Sequence, residues 1–93
     1  MDNSSMRNNQ STFDFNSLIL GLSSAALSYL GISTDDKVPS PEKNLDLAAQ
    51  NIEILSMLKE KTVGNLSSEE QALLDNVLTD LRLKYVELAK IHG

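Results

Sequence analysis

The sequence predicts an all-α fold, a small three-helix domain of residues 13–93 preceded by a disordered N-terminal leader. Three observations predict it. Sixteen of the 38 apolar residues are leucine, while valine, threonine and aromatics are few, a composition that favours helix over strand. Apolar residues recur at spacings of three and four in three separate segments, the period of an amphipathic helix. Between those segments stand a proline-containing loop, "ISTDDKVPSP", and a short "GN" break, both turn signals.

Residues 1–12, "MDNSSMRNNQST", are nearly all polar and lack an apolar period, the signature of a disordered segment. The first helix is expected at about residues 14–31. Asp14 or Asn16 can act as its N-cap and Gly31 suits a left-handed stop. The second is expected at about residues 41–63, with Ser40 as N-cap, Pro41 at the first helical position and Gly64-Asn65 as the stop. The third is expected at about residues 68–91. Ser67 and Glu70 have the spacing of a capping box, and Asp80 and Lys84 form an i,i+4 pair worth roughly 0.2–0.5 kcal/mol.

Helical wheels assign the faces. In the third helix Leu73, Leu74, Val77, Leu78, Leu81, Tyr85, Leu88 and Ala89 share one broad arc, with Leu83 and Val86 outside it. The second helix has apolar residues over more than half its circumference, with Leu45, Ala49, Ile52 and Val63 nearly opposite Leu47, Ile54 and Leu58. It reads as a central element touching two neighbours, with Met57 as an edge filler. The first helix has two opposed seams. Phe15, Ile19, Leu22, Ala26 and Tyr29 form a large one suited to docking in the core. Ser17, Gly21, Ser24, Ser28 and Gly31 form a small one, flanked by Leu20 and Leu27 on one edge and by Leu18, Ala25 and Ile32 on the other. Small residues at this spacing let backbones approach closely.

The stretch from Phe15 to Thr34 carries no charge. A secretion signal needs a basic segment before it, and here Arg7 stands alone. A membrane span needs about 20 predominantly apolar residues, yet seven of these twenty are Ser, Thr or Asn. A packing helix explains the run better, so membrane insertion is not expected. Thirteen acids against eight scattered bases give a net charge of −5, which is not the basic face of a nucleic-acid binder. Without cysteine, and with one histidine at position 92, no nucleophile–base–orienter set can be assembled. Neither an enzyme, a metal nor a cofactor is expected. Asp35-Asp36 lacks the alternation and glycine of a calcium loop. Glu69, Asp80 and Glu87 are spaced too far along their helix to share one ion.

The segments "SLILGLSSAALSYLG" and "NLDLAAQNIEILSMLKEKTVGNLSSEEQALLDNVLTDLRLKYVE" resemble the small bacterial family known as domain of unknown function 1844. The resemblance covers Phe13 to about Glu87, and its most specific part is "EKTVGNLSSEE" followed by "DLRLKYVE". The pattern falls on Leu18, Gly21, Ala26, Leu27, Leu30 and Gly31, then on Leu45, Ala48, Gln50, Ile52 and Leu55. It continues on Lys61, Thr62, Gly64, Asn65, Leu66, Glu69, Asp80, Leu81, Arg82 and Tyr85. The resemblance implies a cytoplasmic helical protein in a bacterium. It brings no assigned activity, cofactor or catalytic residue.

A core of Leu, Ile and Ala in a chain this short rarely supplies more than about 3–5 kcal/mol, and no disulfide can add to it. Self-association is the common remedy. The sequence therefore predicts a non-enzymatic protein–protein interaction module, a homo-oligomer joined through Ser17, Leu20, Gly21, Ser24, Leu27, Ser28 and Gly31. Two alternatives stand beside it. One is an adaptor docking an unidentified partner through Arg82, Leu83, Val86 and the leader. The other is a protein held at a membrane surface by helix one. Arg82 has a second role open to it, tying helices together within the monomer.

Overall fold

In the computed structural model the described residues are 14–33, 36–37 and 39–92, with residues 91 and 92 described by backbone alone. The leader, residues 1–12, lies outside them. Three helices, α1 (Phe15–Tyr29), α2 (Leu45–Lys61) and α3 (Ser68–His92), make up an all-α fold; the described residues contain no strand.

Local chemistry explains most of the helix ends. Asp14 caps α1, its carboxylate accepting from the Ser17 N–H at 2.8 Å. At the other end Gly31 adopts φ 82°. The Gly31 N–H bonds to the Ser28 carbonyl at 2.9 Å and the Ile32 N–H to the Leu27 carbonyl at 3.0 Å. These two bonds define a Schellman stop, and Leu27 and Ile32 both pack against the core, the apolar contact that accompanies such a stop. Ser67 and Glu70 close the capping box of α3. Ser67 Oγ accepts from the Glu70 N–H at 3.1 Å, and Glu70 Oε1 accepts from the Ser67 N–H at 2.8 Å.

Helix α2 starts four residues later than its sequence suggests. Its N-cap is Asn44, not Ser40, and the Asn44 side chain accepts from the Leu47 N–H at 3.1 Å. A helix beginning at Pro41 would turn the Asn44 N–H toward the Ser40 carbonyl. That N–H instead donates to the Tyr29 carbonyl at 2.7 Å, binding the start of α2 to the end of α1. Helix α2 also ends earlier, at Lys61. The Asn65 N–H bonds to the Thr62 carbonyl at 2.9 Å, closing a β-turn with Gly64 at φ 84° in its third position, where type II turns need a positive φ.

The buried core takes three residues from each side of a triangle: Ile19, Ala26 and Leu30; Ala48, Ile52 and Leu55; Leu74, Leu78 and Leu81. Phe15, Leu22 and Tyr29 pack against it, so the large seam of α1 faces inward. All three helix pairs are in contact. Helix α2 touches both neighbours, as its broad apolar arc predicts, and the contact of α1 with α3 closes a three-sided bundle. With α1 and α3 also touching, α2 needs one broad buried face rather than two opposed ones, and Ile54 is left 40% exposed.

Candidate functional site

Among the described residues two apolar surfaces lie outside the core. The first is the outer face of α1. Ser17, Gly21, Ser24 and Ser28 are all exposed, and the flanking Leu18 and Leu20 are 47% and 53% exposed. A Cβ built on Gly21 would meet nothing within 4 Å, so no neighbour within the protomer requires that glycine. The Asp14 carboxylate stands at the helix start. The hydrogen bond from the Ser17 N–H holds its pKa below the ordinary 3.8.

Two expected members of this face lie elsewhere. Leu27 is half-buried and packs against the core, where its carbonyl and side chain both serve the Schellman stop. Gly31 is beyond the end of α1, in the left-handed region, with Lys43 Cγ only 2.6 Å from where its Cβ would stand. Its smallness serves chain reversal and close passage of Lys43. The wheel placed Gly31 on this face for a continuing helix, but α1 stops at Tyr29; Leu27 is still helical and sits at the edge of the face where the core covers it.

The second surface lies across α2 and α3. A groove of about 320 Å³ is lined by Ala49, Ile52 and Glu53 from α2 and by Arg82, Tyr85 and Val86 from α3. Val86 is 51% exposed, and beside it Leu83 is 63% exposed. A shallower depression of about 550 Å³ follows α2 itself, along Gln50, Glu53, Ile54, Ser56, Met57 and Glu60. The structure thus brings Arg82, Leu83 and Val86 together, while Ala49, Ile52, Glu53 and Tyr85 join them unanticipated. Their available signal was Ala49, a small residue that leaves room where a longer side chain would fill the furrow.

Arg82 crosses between helices, its Nη2 donating to Ser56 Oγ at 3.1 Å. It ties α3 to α2 through a neutral hydroxyl. A true ion pair joins the same helices at Lys59 and Asp75, 2.9 Å apart. The hydrogen bond from Lys59 lowers the Asp75 pKa, and one from Gln71 helps. Both side chains are nearly half exposed, so solvent screens most of the attraction.

The described residues contain no group of three His, Cys, Asp or Glu side chains able to hold a metal ion. The side chain of His92 lies outside them. Among the described residues no helix is long and apolar enough to cross a membrane. No curated protein and no solved structure matches the chain. One family model does match, that of Domain of unknown function (DUF1844), over residues 12–87. Spanning most of the helical bundle, this match shows that the chain belongs to the DUF1844 family.

Proposed function

We propose that the protein is a non-enzymatic interaction module of the bacterial cytoplasm that self-associates through the outer face of α1. The carrying observation is the exposure of Leu18 and Leu20 at 47% and 53% around an open Gly21, on a helix free of Lys, Arg and Glu. Full burial of a leucine contributes about 1.5–3 kcal/mol, so completing the burial of two half-exposed leucines in each protomer adds roughly 4 kcal/mol across a dimer. Association costs about 4–15 kcal/mol. Leucine burial at best meets the low end of that cost, which makes the backbone approach at Gly21 decisive: close packing of Ser17, Gly21, Ser24 and Ser28 supplies the van der Waals surplus.

Light scattering over a dilution series tests this. The wild type should rise above its 10.2 kDa protomer mass as concentration increases, and Leu20→Glu, which removes the α1 contacts, should lower the mass reached at each concentration. A concentration-independent monomer, with Gly21→Leu neutral, would refute the proposal.

A further inference from the structure

We infer that the groove between α2 and α3 is a second self-association surface, occupied by a second copy of this chain related by a two-fold axis. Such an interface must be self-complementary, because each residue that meets a partner residue is itself met by the equivalent pair. This face is self-complementary in shape and in charge. It offers a cavity, floored by Ala49, Ile52 and Tyr85, and beside the cavity a projecting apolar side chain, Leu83, 63% exposed. A two-fold partner can seat its Leu83 in this groove and receive ours in its own.

The charges match in the same way. Glu53 stands on the α2 wall and Arg82 on the α3 wall of one groove. Among the described residues the ion pairs are Lys59–Asp75 and Lys84–Asp80, and neither engages Glu53 or Arg82. Arg82 instead contacts the uncharged Ser56 hydroxyl. Across a two-fold axis Glu53 of each copy meets Arg82 of the other, and two ion pairs flank an apolar centre formed by Leu83 and Val86. No α1 residue lines the groove, so this surface is separate from the α1 face and does not depend on it.

The test uses full-length protein carrying Leu20→Glu, which removes any contribution from α1, with mass read by light scattering. The parent should dimerise. Glu53→Arg and Arg82→Glu each place like charges face to face and should weaken dimerisation at least about tenfold. Mixing the two single variants in equal amounts should restore the dimer, since each then meets its opposite. Charge repulsion confined within one protomer would not be relieved by mixing. Val86→Glu should abolish dimerisation with no rescue by mixing, and circular dichroism should show all variants helical. A parent monomeric up to about 1 mM, reversals that leave the mass unchanged, or a mixture that stays monomeric would each overturn the inference.

Discussion

Replacing Gly21 with alanine should move folding and association in opposite directions. Gly21 lies near the middle of the 15-residue α1 and is not among the positive-φ glycines, Gly31 and Gly64. A new Cβ would meet no atom within 4 Å, so the protomer offers no steric cost. Glycine in a helix interior is about 0.8–1.0 kcal/mol less favourable than alanine, chiefly because glycine leaves more backbone freedom to lose on folding. The isolated protomer should therefore gain about 1 kcal/mol, which for a domain of this size raises Tm by roughly 4–8 °C. The same methyl holds two α1 helices apart and should weaken the proposed dimer. Thermal melts by circular dichroism, recorded at concentrations where light scattering finds monomer, isolate the folding gain. Scattering at higher concentrations reads the association loss. A Tm at dilution that stays constant or falls would refute the open geometry at Gly21. A raised Tm with unchanged association would keep the geometry and sink the α1 interface.

Three other outcomes follow from the helix ends and the ion pair. Ser67→Ala removes the acceptor that satisfies the Glu70 N–H and should cost about 1 kcal/mol in urea unfolding. Gly31→Ala should cost about 1–2 kcal/mol, because φ 82° is a conformation that L-residues resist. The Lys43 side chain would also have to shift, making Gly31→Ala opposite in sign to Gly21→Ala by the same melt. Acid unfolding should respond to Asp14 and Asp75, both lowered below 3.8 in the folded chain. Between the folded and unfolded pKa values the unfolded chain binds more protons, so their stabilisation is complete above 3.8 and disappears as pH falls through the lowered values. Asp75→Asn should flatten that acid limb, and an unchanged limb would show that the Lys59 pair contributes nothing.

What could be read from the sequence depended on how local its cause was. The capping box at Ser67 and Glu70 and the stop at Gly31 involve residues within a few positions of one another, and their chemistry is written in residue type. The start of α2 was not, because Ser40-Pro41 and Asn44 both carry respectable start signals. A bond from Asn44 to Tyr29, fifteen positions back, selects between them. Helix wheels separated the large and small seams of α1 correctly, since the core demands one continuous apolar stripe. They could not place the groove at Ala49 and Glu53, which depends on how closely α3 lies along α2. Nor could they show that Ile54 would be left outside, because a wheel records directions and not which of them a neighbour fills.

The bond from the Asn44 N–H to the Tyr29 carbonyl gives the connection between α1 and α2 a closed neck. Backbone atoms and the Schellman stop hold the two ends together, so the helix spacing at this end does not depend on the length of chain that joins them. Lengthening that chain costs only about 0.6 kcal/mol for each doubling. A peptide tag inserted between Asp36 and Lys37 should therefore leave the bundle folded, whereas the same tag at the tight Thr62–Asn65 turn should break the register of α2 against α3. The first position is a natural place to attach a label or cross-linker for testing the proposed assembly.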